Sequence, residues 1–225
     1  MISALKYYLT SVPTLFSIIN LWKIPLLFIK KPILLKLKNG LRFYIETVMD
    51  VWVIKEIILD RQYERLRPVK KEDSVIDIGA AFGDFSIYAA QKAKRVYAYD
   101  PNSHRIDLLK KNMIINNCHN ITVINQAATS LDEILKKNKI SHCHFLKIDC
   151  EGAEYTIFQK ASKESLKKID HIAFEIHLFT PRMHRSYAKL KNLLAANGFE
   201  LRECSNAVHN YLKFLFATRV SRYSI

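Results

Sequence analysis

Two acidic residues, each at the end of a short apolar run, frame a glycine-containing loop in residues 75–100. The first run ends in Asp77, the loop contains Gly79 and Gly83, and a second apolar run ends in Asp100 after a helix-like stretch. This order of strand, loop, helix and strand is typical of a nucleoside site, in which the second acid accepts hydrogen bonds from the ribose hydroxyls. We therefore predict that this segment binds a nucleoside by its ribose and its tail.

The loop at residues 79–83 (GAAFG) narrows the choice of ligand. A dinucleotide loop needs a middle glycine where the backbone approaches the pyrophosphate, and this loop has none. Asp84 follows where a phosphate loop has lysine, and its charge would repel a phosphate. S-adenosylmethionine carries a ribose, an adenine and a charged amine without phosphate. We predict it as the cofactor, with Asp77 attracting the amine and with Ala81 and Phe82 among the loop contacts.

Further cofactor contacts are expected after the next two strands. Pro101 follows the second strand, and Asn125, Gln126 and Ala127 follow the predicted strand at residues 121–124. A side-chain amide offers a donor and an acceptor together, which suits the edge of an adenine.

A second group of polar residues lies later in the chain. Asp149 ends a predicted strand and Glu151 opens the next helix, while Glu175 and His177 lie two apart on one strand and so face the same side. Because ligands of an open parallel sheet bind at the carboxyl ends of its strands, these four residues are the predicted transfer site. His177 is the candidate base, since an imidazole takes up a proton near neutral pH. A divalent ion held by Asp149, Glu175 and His177 is the alternative; a site without metal is preferred.

The net charge and the cysteine content limit the kinds of partner and the cellular compartment that the sequence allows. The net charge of +14 is compatible with an anionic partner such as nucleic acid, an acidic membrane surface or a charged glycan, but solvated helix faces are the preferred explanation. The four cysteines form no Cys-x-x-Cys pair and no signal peptide is recognisable. This pattern predicts reduced thiols in a cytoplasmic protein and argues against a zinc site.

The amino-terminal residues 1–31 hold an apolar stretch flanked by lysines. Residues 7–22 carry no charge but several polar side chains, so they are too short and too polar to span a membrane. Such a segment can lie on an anionic membrane surface, which would make the protein membrane-peripheral. The preferred alternative is a helix that packs on the core or on a second subunit of a homodimer.

The remaining pattern predicts the architecture. Asn39-Gly40 between alternating apolar residues indicates a hairpin, and a helix is expected over residues 50–66. From residue 75 onward strands alternate with helices, which is typical of a mostly parallel sheet. The last two predicted strands have no helix between them, so one strand should be antiparallel.

Four segments together resemble the FkbM family of S-adenosylmethionine-dependent methyltransferases: VIDIGAAFGDFSIYAA, VYAYDPN, LKIDCEGAEYTIF and FEIH. The resemblance covers about residues 34–198. It implies an α/β class I methyltransferase (Rossmann-like) fold, with a mostly parallel seven-stranded sheet and helices on both faces. An amino-terminal appendage of helices and a hairpin (residues 1–70) would pack on the methyltransferase domain (residues 71–225).

The resemblance also implies roles. Asp77, Gly79 and Gly83 match the family's cofactor loop, Asp100 matches its ribose acid, and Asp149, Glu151, Glu175 and His177 match the polar residues near the transfer site. Ala81 stands where the family usually has Asn, and Asp100 where it often has Glu. The short connection from Ala127 to Leu131 replaces a longer family insert, which would open the pocket or leave it to a second subunit.

The predicted function is methyl transfer from S-adenosylmethionine to a hydroxyl of a glycan, a glycolipid or a small natural product. One alternative is a tRNA or RNA base methyltransferase. It is ranked lower because the loop at residues 149–152 is acidic and lacks the aromatic wall that a flipped base needs. The other alternative is a non-catalytic scaffold with the same fold.

Overall fold

The computed structural model describes residues 2–29, 31–206 and 208–220 of the 225-residue chain. Its helices are α1 (Ile2–Leu15), α2 (Val48–Ile54), α3 (Asp84–Ala90), α4 (Ser103–Ile115), α5 (Leu131–Lys137), α6 (Glu154–Gln159), α7 (Lys163–Lys167) and α8 (Pro181–Ala196). Its strands are β1 (Ile33–Lys36), β2 (Arg42–Ile45), β3 (Ser74–Ile78), β4 (Arg95–Tyr99), β5 (Ile121–Ile124), β6 (Phe145–Ile148), β7 (His171–His177), β8 (Phe199–Ser205) and β9 (Leu212–Arg219). Short 3₁₀ segments cover Leu21–Ile29 and Gln62–Glu64, and a π-helical turn covers Lys55–Leu59.

Seven of these strands form one sheet in the order β5-β4-β3-β6-β7-β9-β8. The pairs from β5 to β7 are parallel, and β9 is antiparallel to both of its neighbours. The order reverses between β3 and β6, and the carboxyl ends of such neighbouring strands form the crevice in which open α/β sheets bind ligands. The predicted fold class, with its mostly parallel sheet and one antiparallel strand, is confirmed.

Helices cover both faces of the sheet because its central strands are apolar on both sides. One face, with Val75 and Phe145, packs against α2, α3, α4 and the amino-terminal elements. The other face, with Ile76 and Leu146, packs against α5, α6, α7 and α8.

The amino-terminal hairpin of β1 and β2 is tied to the domain by a buried amide. Asn112 of α4 accepts the backbone N–H of Tyr44 at 2.6 Å and donates to the carbonyl of Phe82 at 3.0 Å. One side chain thus links the hairpin to the loop that follows β3. The predicted division at residue 70 stays a prediction, although the elements before it share a core with the sheet.

The segment between the hairpin and β3 differs from the single helix predicted over residues 50–66. The α2 helix continues into the π-helical turn, and Arg61, in the left-handed region with φ 53°, separates that turn from the last 3₁₀ segment. This break turns Tyr63 inward, where it is 2% exposed. Within the described ranges, no helix is long and apolar enough to cross a bilayer.

Candidate functional site

The glycine loop after β3 brings two strand ends together. Gly79 has φ 81°, and a Cβ at this position would lie 1.7 Å from the carbonyl oxygen of Asp149. Only glycine therefore allows the loop after β3 to touch the loop after β6. The backbone N–H groups of Gly79 and Ala80 both donate to the carbonyl of Tyr99, which fixes the loop against β4.

A buried ion pair supports this loop from inside the sheet. Lys147 and Asp77 are register partners on β6 and β3, and the Lys147 ammonium lies 3.1 Å from the Asp77 carboxylate. The same ammonium donates to the Gly79 carbonyl at 2.7 Å, while Ser86 donates to Asp77 at 2.6 Å. Burial alone would lower the pKa of Lys147, but Asp77 and the nearby acids raise it above its usual value, so the lysine stays charged.

A cavity of about 480 Å³ opens at the ends of β3, β4 and β6, and we call it the donor cavity. Its charged lining residues are the acids Asp100, Asp149 and Glu151 and the single cation Arg105. Arg105 is already paired with Asp50 at 2.6 Å. The uncompensated charge of the lining is therefore negative, which suits a cationic ligand and disfavours a phosphate.

Asp100 is held for ligand binding by its own backbone surroundings. Its two carboxylate oxygens accept the N–H groups of Ala81 at 2.9 Å and of Asn102 at 2.8 Å. A carboxylate offers about four lone-pair sites, so each oxygen can accept one more hydrogen bond. A ribose with two hydroxyl donors fits this arrangement, as a nucleoside cofactor requires.

The predicted cofactor residues are not all placed in this cavity. Its lining includes Gly79, Ala81, Asp100, Pro101 and Ala127.

Five others lie elsewhere. Asp77 is buried in its ion pair, Phe82 is in the core, and the nearest atoms to a Cβ on Gly83 would be those of the Leu109 and Ile87 side chains. Asn125 donates to the Asp100 carbonyl, and Gln126 accepts from the exposed Lys137. These residues shape the loops and do not face the donor cavity.

A second cavity, also of about 480 Å³, adjoins the first at Asp149, which lines both; we call it the acceptor cavity. Asp149 and Glu175 contribute its carboxylates at the strand ends. Its other walls come from α2 and the turns after it and from the β8–β9 connection, and include Val48, Met49, Trp52, Val53, Glu56, Ile57, Tyr63, Asn206, Val208, His209 and Leu212. The cavity therefore has mainly aromatic and apolar walls, with Asp149 and Glu175 next to the donor cavity and with Glu56, Asn206 and His209 among its polar residues.

Tyr63 joins these two acids. Its hydroxyl lies 3.0 Å from Asp149 Oδ2 and 3.1 Å from Glu175 Oε2. Because a phenol has one proton to donate, only one carboxylate can receive it at a time. The second short contact is favourable when the other acid is itself protonated.

The pKa values agree with a shared proton. Burial, and after it the charge of Asp149, raises the pKa of Glu175 to about 7. Burial, followed by the same two carboxylates, raises the pKa of Tyr63 well above its usual value, so the phenol stays protonated. Near neutral pH Glu175 can therefore switch between its acid and its carboxylate form.

His177 lies behind Asp149 and lines neither cavity. Its Nε2 is 3.9 Å from Asp149 Oδ1 and its Nδ1 is 3.5 Å from Glu154 Oε1, both ion-pair distances. Burial alone would lower the pKa of His177, but Glu154 and Asp149 raise it above the usual value. When it is protonated, His177 stabilises the Asp149 charge without lining either cavity.

Glu154 and Glu151 hold the loop between β6 and α6 in different ways. Glu154 is fully buried and accepts the N–H of Gly152 at 2.7 Å and that of His177 at 3.2 Å. Glu151 is exposed, has φ 52° and lines the donor cavity. Asp149, Glu175 and His177 also offer ligand atoms within 4.8 Å of one another, a spacing that a divalent ion requires.

Three residues of the site were not predicted as site residues: Tyr63, Trp52 and Lys147. Tyr63 and Trp52 precede the predicted methyltransferase domain and belong to no motif, so only their aromatic type in a helix-like segment could have drawn attention. Lys147 was visible as a lone lysine in an otherwise apolar strand, a placement that predicts a buried partner.

The sheet order and the paired cavities define a class I methyltransferase, a class whose methyl donor is S-adenosylmethionine. The family model for the TRM5/TYW2 methyltransferase domain matches residues 35–151, which are 117 of the 225 residues. The chain belongs to this family. The model for the FkbM methyltransferase domain matches residues 119–201, which confirms the resemblance found in the sequence.

Individual proteins agree with this placement. The chain is 37% identical over 150 residues to the tRNA (guanine(37)-N(1))-methyltransferase Trm5b of Methanocaldococcus jannaschii, a match that covers 59% of this chain and 43% of that protein. It thus spans less than half of that relative.

Two solved structures share the fold. One is Trm5b from Pyrococcus abyssi, with TM-score 0.53, 17% identity and coverage of 81% of this chain and 54% of that one. The other is a putative rRNA methylase from Clostridium thermocellum, with TM-score 0.56, 13% identity and coverage of 72% and 97%.

Proposed function

We propose that this protein transfers a methyl group from S-adenosylmethionine to a base nitrogen of tRNA, with N1 of a guanine as the first candidate. The observation that carries the proposal is the 37% identity over 150 residues with a tRNA (guanine(37)-N(1))-methyltransferase. It favours the base methyltransferase, the lower-ranked alternative, over methylation of a glycan hydroxyl.

The acceptor cavity contains the aromatic residues whose absence from the loop at residues 149–152 argued against a nucleobase as acceptor. The loop at residues 149–152 lacks an aromatic wall, but Trp52, Tyr63 and the apolar residues of α2 supply one from the other side. An extruded base is held by such stacking and by hydrogen bonds to its Watson–Crick edge. Guanine presents donors at N1 and N2 on that edge, which match the carboxylates of Asp149 and Glu175.

The chain's residues can manage the proton of the acceptor. S-adenosylmethionine supplies an activated methyl on a sulfonium, and its carbon–sulfur bond breaks as the new bond forms. In its carboxylate form Glu175 accepts the N1 proton of guanine, so the nitrogen lone pair is free for methyl transfer. Asp149, held by Tyr63 and His177, orients the base between the two cavities. We therefore assign the base role to Glu175 and a positioning role to His177, the residue first expected to be the base.

A basic strip beside the site supports a polyanionic acceptor. Arg182, Arg185 and Lys189 are exposed on one face of α8, which begins just after the carboxyl end of β7. Within the described part of the chain, none of the three is in an ion pair. Removing one cation that neutralises a phosphate should reduce the slope of log affinity against log salt by about 0.7 for single-stranded RNA. We expect Arg182→Ala and Arg185→Ala to reduce this slope. Lys71 precedes β3 at the opposite edge of the sheet, so Lys71→Ala should leave the slope unchanged.

A second candidate function is methylation of a hydroxyl on a glycan or a small molecule. It is favoured by the FkbM match, which covers Asp149, Glu175 and His177. A hydroxyl also donates a hydrogen bond to a carboxylate, and the same Glu175 would take its proton.

Product analysis after labelled methyl transfer distinguishes the two. The full chain is incubated with methyl-labelled S-adenosylmethionine and with an unmodified tRNA transcript carrying G37, or with its A37 variant. We expect 1-methylguanosine from the first transcript and no product from the second. Label that appears only in the glycan or lipid fraction of a cell extract would overturn the proposal in favour of the second candidate. Full activity after exhaustive chelation would remove the divalent-ion alternative.

A further inference from the structure

The amino-terminal segment exposes apolar side chains that a folded protein normally buries. Of the fourteen large hydrophobic residues exposed among those described, seven lie between residues 9 and 28. Trp22 is 72% exposed and Phe28 is 83% exposed. We call the following six residues the apolar face: Leu9, Val12, Phe16, Ile19, Trp22 and Phe28.

Among its described side chains, α1 contacts the rest of the protein through Tyr7 and Ser11 as well as through the apolar Leu15. Tyr7 donates to Glu56 at 2.5 Å, and the buried Ser11 accepts from the ammonium of Lys55 at 2.5 Å. Lys55 is 2% exposed and also pairs with Asp60 at 2.6 Å. These contacts anchor α1 to the turn after α2 by polar groups.

The opposite side of the same helix is apolar. Leu9 and Val12 are three residues apart on α1, and Phe16 comes four residues later, directly after the helix, so the three continue one side. A surface helix in water shows the reverse arrangement, with its apolar side toward the core. The exposed Leu9 and Val12 therefore suit an apolar medium on the outer side of α1.

The positive charge of the amino-terminal segment indicates which kind of partner covers the apolar face. Residues 1–45 contain seven basic residues (Lys6, Lys23, Lys30, Lys31, Lys36, Lys38 and Arg42) and no acid. A second copy packed symmetrically on the apolar face would bring two such segments together and add to their repulsion. Nucleic acid would neutralise the lysines but leave most of the apolar side chains in water. An anionic lipid surface satisfies both features, because its headgroups attract lysine and its acyl region takes apolar side chains.

We propose that the apolar face docks this protein on an anionic lipid bilayer, lying in the interface without crossing it. The lysines in the segment strengthen the docking, by roughly fivefold in partition coefficient for each one near the surface. Trp22, with the ammonium of Lys23 at 5.3 Å from its ring centroid, suits the headgroup level. The inference does not depend on the acceptor, since none of these residues lines either cavity.

Vesicle co-sedimentation of the full chain tests the proposal. We expect binding to vesicles of phosphatidylcholine with 30% phosphatidylserine, at least tenfold weaker binding to pure phosphatidylcholine, and weakening by salt. The double variant Trp22→Glu, Phe28→Glu should lose at least tenfold in binding to the anionic vesicles. Ile114→Glu is the matched control, because Ile114 is 75% exposed on α4 outside the apolar face, and it should bind as the wild type does.

Two further measurements separate docking from misfolding and from other partners. Calorimetric binding of S-adenosylmethionine should be unchanged in the double variant, which shows that the fold is intact. The proposal is overturned if the wild-type protein does not co-sediment with the anionic vesicles. So does a dimer in solution that the double variant abolishes, and so does tRNA affinity that falls in the double variant while vesicle binding does not.

Discussion

The proton switch at Glu175 makes a quantitative prediction about pH. With a pKa of about 7, this carboxyl is about 9% ionised at pH 6 and about 91% ionised at pH 8. Because only the carboxylate can accept the acceptor's proton, the single-turnover rate of methyl transfer should rise about tenfold between these pH values.

The variant Glu175→Gln keeps the shape and the contact with Tyr63 but removes the base. We expect the rate at pH 8 to fall by about 10²–10⁴-fold, the usual contribution of a positioned base, and the pH dependence between 6 and 8 to disappear. Quenched-flow transfer of labelled methyl to the tRNA transcript measures both quantities, and calorimetry should show unchanged S-adenosylmethionine affinity.

Asp84→Asn is the matched control for this titration. Burial also raises the pKa of Asp84 to about 7, but Asp84 lines neither cavity. Its variant should keep the tenfold rise even if its overall rate changes. Loss of the pH dependence in Asp84→Asn, or its survival in Glu175→Gln, would refute the assignment of the base.

Two further predictions concern the scaffold of the site. Gly79→Ala should abolish S-adenosylmethionine binding in calorimetry because its Cβ would collide with the Asp149 carbonyl; Gly40→Ala, which also has positive φ but no atom within 4 Å, should bind normally. Lys147→Met should lower the free energy of unfolding by about 3–5 kcal/mol in urea denaturation, since it leaves the Asp77 charge buried and unpaired. Adding Asp77→Asn should restore part of that loss, and a cost below about 1 kcal/mol for Lys147→Met would contradict the buried-pair account.

Most strands and helices of the fold could be predicted from local sequence patterns. The strands β3, β4, β6 and β7 were predictable because buried parallel strands are short apolar runs, and the longer helices because apolar residues recur at helical spacing. The α7 helix was not predicted, since five residues give too little periodicity to detect. The break at Arg61 also left no signal, because a left-handed residue that is not glycine depends on tertiary contacts.

The candidate site likewise contains residues that local motifs predict and residues that only the tertiary fold brings together. Gly79 and Asp100 were predicted on the cofactor side and Asp149 at the transfer site, because each lies in a local motif at the end of an apolar strand. Tyr63 was not, since its role arises only when a segment far away in sequence folds over the sheet. Phe82 was expected at the cofactor but lies in the core, because the loop turns its side chain toward Phe43.

The two family matches locate where substrate choice resides. The TRM5/TYW2 match ends at residue 151 and contains the charged residues of the donor cavity, whereas Glu175 lies only in the FkbM match. Class I methyltransferases bind the cofactor at the same strand ends of the sheet, so the donor cavity says little about the acceptor. The walls of the acceptor cavity come from residues 48–63, which lie inside the TRM5/TYW2 match, and from Asn206, Val208, His209 and Leu212, which lie outside both matches. We therefore expect the choice of acceptor to depend on these two segments, which fold over the carboxyl ends of the strands.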